Sequence, residues 1–269
     1  TSKSEQFLKE QLDSLINQTY KNIEIVISHD ECGDNTQSIL NEYVGKYQNI
    51  SWSLNKKPKG YIGNNENAIS LCRGEIIFLC DHDDSWYPEK VAEHVKAYGD
   101  PSVQWVYNKA VLTDGTNTKE IGFLEDIDPK YYRHKTLLEN TWGTCIGGAL
   151  SSYRSNVLKK VLPVDTHAPA HDSWIQLAIY PKKGVFIDKI LQKYRQHGSN
   201  AVGWDKNYLD NRSPELIKKL ESQAILDNLN YLKHLPFNNK LSVPKRIFLF
   251  IVYILKYTRY HFKKILKNT

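Results

Sequence analysis

The first eighty residues change hydrophobic period again and again, and that alternation restricts the fold more than any other feature of the chain. Phe7, Leu8, Leu12, Leu15 and Ile16 recur at helical spacing, which predicts an amphipathic helix over residues 5–17. Residues 23–28 (I-E-I-V-I-S) are short and β-branched, a strand. Asp34 is placed to N-cap a helix running to about Tyr47. A strand over 50–54, a helix over 64–72 closed by Arg73-Gly74, and a strand over 75–80 complete the series. Helix and strand in strict turn predict an α/β domain with a mostly parallel central sheet flanked by helices. Ligands of such sheets sit at the carboxyl ends of the strands. Two acidic loops, at 29–34 and 81–84, lie at those ends and are predicted to share one crevice.

The second loop is the more demanding. Asp81-His82-Asp83-Asp84 puts three carboxylates within four residues at the end of an apolar run. Like charges that close raise one another's pKa. A divalent cation removes the conflict, because hard oxygen ligands suit Mg²⁺ or Mn²⁺, and such a metal can hold a diphosphate. The plain alternative is a solvated turn helped by Ser85 and Pro88.

A length of 269 residues fits one large domain, or one domain with an appendage, and 41% apolar content supports a real core. Residues 244–269 carry seven Lys or Arg and no Asp or Glu, so with +6 for the whole chain residues 1–243 sum to −1. A near-neutral body argues against a nucleic-acid binder that uses its whole surface. The basic tail predicts contact with an anionic membrane surface. Cys32, Cys72, Cys80 and Cys145 form no C-x-x-C pair, which excludes a zinc knuckle and points to reduced thiols in a cytoplasm. No secretory signal peptide is visible, and the lack of any methionine predicts that Thr1 is not the natural start.

Further along, helices are predicted over 88–98, 156–161, 173–180 and 214–234, strands over 103–107, 185–187 and 190–194, and a hairpin turn over 113–119. In the tail, residues 247–255 are nine unbroken apolar residues, well short of the ~20 needed to span a bilayer. Tyr257, Tyr260, Phe262, Ile265 and Leu266 then alternate with basic residues, as in an interfacial helix. The competing expectation is a helix docked on the body or on another subunit, so an oligomer stays open.

Four segments together carry a resemblance: F-L-K-E-Q-L-D-S-L-I-N-Q-T-Y-K-N-I-E-I-V-I-S (7–28), H-D-E-C-G-D-N-T (29–36), G-E-I-I-F-L-C-D-H-D-D-S-W-Y-P-E-K (74–90) and Y-R-Q-H-G-S-N-A-V-G (194–203). In this order they resemble a family-2 glycosyltransferase of the GT-A fold, nearest the bacterial rhamnosyltransferase-like members that build surface polysaccharides. The resemblance implies a catalytic domain over 1–203, followed by a helical extension over 204–240 and a basic amphipathic tail helix over 241–269. Family chains open with a further apolar strand, which would precede Thr1 here. His29-Asp30 stands where Asp-Asp is usual, and His171-Asp172 where Glu-Asp is usual.

By the same resemblance, Asp83 is the metal ligand of the D-x-D motif, with His197 reaching the metal from the other side. Asp81, Asp30, Lys59 and Asn64 would hold the donor nucleotide. Arg195, Asp84, Gly147 and Gly148 would meet its diphosphate and sugar, the glycines by allowing close backbone approach. Asp172 would be the general base, with His171 and Trp174 toward the acceptor. Trp86, Trp142 and Trp204 could stack on a sugar or simply pack. The implied reaction is an inverting, Mn²⁺- or Mg²⁺-dependent transfer from a dTDP- or UDP-linked sugar to a saccharide or lipid-linked saccharide. It would take place on the cytoplasmic face of the membrane. Rival readings are a sugar-nucleotide nucleotidyltransferase, which would carry a Gly-rich basic phosphate loop, and a non-catalytic transferase-like scaffold.

Overall fold

The computed structural model describes residues 1–116, 119–123, 146–197, 226–235 and 238–268. The amino-terminal half follows the predicted alternation: α1 (Leu8–Ile16), β1 (Ile25–His29), α2 (Thr36–Lys46), β2 (Ile50–Leu54), α3 (Tyr61–Leu71) and β3 (Ile76–Phe78). A short β4 (Ser85–Trp86) leads into α4 (Lys90–Ala97), and β5 (Trp105–Thr113) turns back as β6 (Glu120–Phe123). After β7 (Ser151–Arg154) come α5 (Ser155–Leu158), α6 (His171–Ile179) and β8 (Gly184–Arg195), and α7 (Val243–Asn268) ends the chain.

The α/β class holds, but the strands are not mostly parallel. β1 pairs with β2 in a parallel two-stranded sheet. The second sheet has the order β3-β7-β5-β8-β4, with β6 beside β5. Within it only β5 and β8 run parallel; the other pairs are antiparallel. Parallel neighbours need a long connection, and the β5–β8 pair has one that includes α5 and α6; the other neighbours in this sheet come together in opposite directions. The two predicted strands 185–187 and 190–194 are one strand, β8, whose register against β5 shifts at Asn108 and Lys109.

Helix ends also differ from expectation. Asn35, not Asp34, is the N-cap of α2; Asp34 instead accepts hydrogen bonds from the Thr36 backbone N–H and hydroxyl and from the Glu5 N–H. Those donors overcome burial and pull its pKa down to about 2. Helix α3 ends at Cys72, and the Arg73 and Gly74 N–H groups turn away to the Glu24 carboxylate at 2.6 and 2.7 Å.

Burial explains the arrangement. Leu8, Leu12 and Leu15 of α1 follow the i, i+4, i+7 rule and pack with Ile25, Ile27, Ile39 and Leu40 in one cluster. A larger cluster joins Tyr107, Tyr153, Trp174 and Ile175 to Leu232, Leu241, Leu249 and Val252. The described carboxy-terminal segments therefore share a core with the sheet. The predicted extension over 204–240 falls largely outside the described residues, as do Trp142, Cys145 and Trp204.

Trp174 anchors this core. It is 0% exposed, and its indole N–H donates to the Val161 carbonyl at 2.8 Å. Trp174→Ala is expected to cost about 3–5 kcal/mol, read as a lower midpoint in chemical denaturation.

Candidate active site

The two acidic loops do converge. His82 lies within electrostatic reach of Asp34, Asp83 and His197. Asp81 carries the clearest sign of crowding: burial first, then the charges of Asp83 and Asp172, push its pKa up to about 7. Asp172, about ninety residues further along the chain, thus comes within electrostatic reach of the acidic turn. Asp83 is paired with His197, whose Nε2 lies 3.0 Å from its Oδ2. The His197 ring stacks on Phe7 at 4.5 Å.

Beneath the acidic turn lies a buried polar clamp. Arg195 is 2% exposed, and its Nε donates to the Asp83 carbonyl at 2.6 Å, its Nη1 to the Gly115 carbonyl at 3.1 Å and its Nη2 to Glu10. The guanidinium also covers the Phe7 ring at 4.8 Å. Asp84, also 2% exposed, accepts from the Arg195 backbone N–H at 3.2 Å and from the Gln192 side-chain amide. Burial and the neighbouring Asp83 and Asp81 charges hold the Asp84 carboxyl well above the usual range. The other end of Gln192 accepts from Lys90, whose ammonium also donates to the Ala149 carbonyl at 2.8 Å and sits 3.9 Å over the Trp86 ring. Burial pulls the Lys90 pKa down to about 7, against the raising effect of Cys80, Asp84 and Asp81.

These contacts correct two expectations. Arg195 and Asp84 face protein groups under the turn rather than a diphosphate or a sugar, because sealing the β4–β8 junction leaves both buried. Trp174 is a core residue, not an acceptor contact. Trp86, packed under Lys90, is likewise buried.

On the nucleotide side, Asp30 at the end of β1 accepts from the Asn55 amide at 2.7 Å and the Gly60 N–H at 2.8 Å. Burial raises its pKa, but these donors and the nearby Asn64 outweigh it and hold the carboxyl below its usual value. Gly60 has φ +112°, a conformation few side chains tolerate, and this presents its N–H to Asp30. Asn64 is buried, donates to the Thr1 carbonyl at 3.3 Å, and leaves its own Oδ1 without a hydrogen-bond partner. Asn64 and Asp81 both line a cavity of about 120 Å³ between α1, β1 and α3. Lys59 is exposed on the loop before α3.

On the opposite side, Asp172 sits in the first turn of α6. Its oxygens accept the Gly148 N–H at 3.0 Å and the Ser173 N–H at 2.7 Å. A Cβ at Gly148 would lie 2.9 Å from His171 Nε2 and 3.3 Å from Leu79, so only glycine allows Asp172 this close to the end of β3. Gly147, just before it, has ordinary extended backbone. His171 is 8% exposed, and burial lowers its pKa against the Asp172 charge. It is packed behind Gly148 rather than offered to a ligand. Tyr61 holds the exposed position instead: its ring meets the His171 edge at 6.2 Å, its hydroxyl donates to the Pro169 carbonyl at 2.6 Å, and the Asp172 charge adds to burial in raising its pKa.

Phe7, Glu10, Tyr61, Lys90 and Gln192 are therefore parts of the site that sequence reasoning missed. Only Tyr61 carried a signal, an aromatic residue directly after a glycine, at what proves to be the start of α3. Among the described residues no three His, Cys, Asp or Glu side chains gather as a ready set of metal ligands. The Asp83–His197 pair offers one hard oxygen and one imidazole. Both suit Mn²⁺, and a diphosphate and water would complete the shell. The donor set fits such an ion.

A mixed sheet with carboxylates gathered at its strand ends is the arrangement of the GT-A glycosyltransferases, and solved structures of that fold align with the chain. S. aureus TarS 1–349 in complex with UDP superposes with a TM-score of 0.60 at 18% identity, covering 94% of this chain and 68% of that one. The Pyrobaculum calidifontis mannosyltransferase PcManGT, in complex with GDP-Man and Mn²⁺, gives 0.60 at 16% identity over 100% of this chain and 79% of that one. The family description "Glycosyl transferase family 2" matches residues 1–162, and the chain belongs to that family. Among its relatives, an uncharacterized glycosyltransferase of Rickettsia typhi is 33% identical over 82% of this chain and 70% of its own length. The GalNAc(5)-diNAcBac-PP-undecaprenol beta-1,3-glucosyltransferase of Campylobacter jejuni is 23% identical over 74% of this chain, which spans 64% of that enzyme.

The clamp is testable apart from chemistry. Gln192→Leu removes the amide that bridges Lys90 and Asp84 and leaves both short of a partner. Urea denaturation is expected to show a loss of about 3 kcal/mol.

Proposed function

We propose that this protein is an inverting glycosyltransferase. It would move a hexosyl or rhamnosyl group from a UDP- or dTDP-linked donor to a hydroxyl of a saccharide or lipid-linked saccharide in cell-surface polysaccharide synthesis. The observation that carries the reading is that the Asp83–His197 pair and Asp172, held by the Gly148 N–H, lie near enough to Asp81 for both carboxylates to act on it. Family membership supports glycosyl transfer. The names of the Campylobacter jejuni relative and of an Escherichia coli relative that is 34% identical over 84 residues support an undecaprenol-linked acceptor. Neighbours solved with UDP-GlcNAc and with GDP-Man support a nucleotide-sugar donor.

Each residue's part follows from its surroundings. Asp30, oriented by Gly60 and Asn55, would accept from the base of the nucleotide, with Asn64 beside it and Lys59 at the loop edge. Asp81 would face the ribose. Asp83 and His197 would hold Mn²⁺ or Mg²⁺, which when bound neutralises the charge of the leaving diphosphate. Gly147 would give the sugar room near the backbone, while Gly148, packed against His171 and Leu79, instead lets Asp172 approach. Asp172 would take the proton from the acceptor hydroxyl. Its two backbone donors fix the carboxylate's direction. Tyr61 stands beside it as a platform for the acceptor, and His171 orients the pair from behind. Inversion needs only one displacement, with the hydroxyl oxygen bonding to the anomeric carbon as the bond to the diphosphate breaks. The enzyme would work from the cytoplasmic side, peripheral to the membrane that holds its acceptor.

Asp172→Asn is expected to bind donor as the parent does while losing about 10²–10⁴-fold in transfer rate. Transfer at the parent rate would exclude Asp172 as the base. Asp83→Ala is expected to abolish Mn²⁺-dependent donor binding in calorimetry, and an unchanged affinity would remove Asp83 from the metal site. Release of nucleoside diphosphate, rather than pyrophosphate, separates this reaction from nucleotidyl transfer.

A further inference from the structure

Helix α7 has two faces with different tasks. Lys245, Leu249, Val252 and Lys256 follow one another at i, i+4, i+7 and i+11, and this face meets the body. Leu249 and Val252 are buried in the main core, with Phe248 and Tyr253 packed against it. The Lys245 ammonium donates to the Leu177 and Ala178 carbonyls at 3.2 and 2.8 Å, near the carboxyl end of α6. Lys256 reaches Asn228 at 3.4 Å. Docking on the body is thus settled for this face.

The opposite face is apolar and open. Val243, Ile247, Phe250, Ile251, Ile254 and Leu255 are each between 44% and 66% exposed. Their spacing of three and four residues makes them one continuous stripe. A contiguous exposed apolar patch marks an interaction surface. Its charge setting selects the occupant: residues 243–268 include seven Lys or Arg, of which Lys245 and Lys256 are on the docked face, and no Asp or Glu. A second copy docked stripe to stripe would bring two such segments together, and like charges oppose that. An anionic lipid leaflet supplies the matching charge and an apolar layer at once. No described helix is long and apolar enough to cross a membrane, so the helix would lie along the surface.

We infer that the Ile247–Phe250–Ile251–Ile254–Leu255 stripe of α7 is an interfacial binding surface for anionic phospholipid, inserted shallowly while the opposite face stays docked on the enzyme. The inference deepens the proposal of a lipid-linked acceptor and rests on it for its purpose. Binding is read without sugar turnover, so the two can fail separately.

The test is co-flotation of the full chain with vesicles of phosphatidylcholine alone or mixed equally with phosphatidylglycerol. Flotation with the mixed vesicles, little with the neutral ones, and a tenfold or greater loss of binding in Phe250→Glu and in Ile254→Glu are expected. Both positions are exposed, so unchanged circular dichroism and melting temperature should accompany the loss. Parent-like vesicle binding by the two variants, or no binding by the parent, would overturn the inference. So would a concentration-dependent dimer in light scattering that Phe250→Glu dissolves, because the stripe would then belong to a second copy.

Discussion

The candidate site depends on a chain of hydrogen bonds, buried except at its last member, that runs from Lys90 through Gln192 and Asp84 to Arg195 and the exposed Glu10. Ions withdrawn from water are tolerated only when partners satisfy them, and each member here answers the next. The chain crosses the protein: α4 gives Lys90, β8 gives Gln192 and Arg195, the acidic turn gives Asp84, and α1 gives Glu10. It fixes the backbone of the turn from below, with Arg195 holding the Asp83 carbonyl, and so leaves the Asp83 carboxylate directed to His197. Arg195 and Asp84 serve the chemistry by positioning the residue that does face the crevice.

Above the clamp, the charges of Asp83 and Asp172 add to burial in pushing the Asp81 pKa up to about 7. A cation and its bound diphosphate complex would convert that repulsion into binding. Rigidity below makes a preorganised site: the protein has met the cost of bringing the carboxylates together before a ligand arrives.

The same core that carries Trp174 beneath Asp172 continues to Leu249 and Val252 of α7. Lys245 ties α7 to the last turn of α6 through two carbonyls. The helix that presents the apolar stripe is therefore braced against the helix that presents the candidate base. Contact with a surface at one would set the orientation of the crevice at the other. A lipid-linked acceptor would profit from such a fixed relation, because its sugar end must reach Asp172 at a set height above the membrane.

Much of this could be read from residues alone wherever the signal was local. Period and β-branching marked α1, β1, α2, β2, α3 and β3, since hydrophobic spacing reflects burial of one face. The acidic clusters at strand ends, and the choice of Asp30, Asp81, Asp83 and Asp172, rested on charge density and on motif order, both linear properties. Strand direction did not, because whether neighbours run parallel depends on which strands meet, and β5 meets β7, β8 and β6 from three parts of the chain. Nor did the sequence separate Asp83, which meets His197, from Asp84, which is bonded to β8: the two are neighbours in the acidic turn, and only packing against β8 decided which was interior. Trp174, Arg195 and Lys90 teach the same point. Their residue types permit ligand contact or burial equally, and the contacts that choose between the two come from segments tens to more than a hundred residues away.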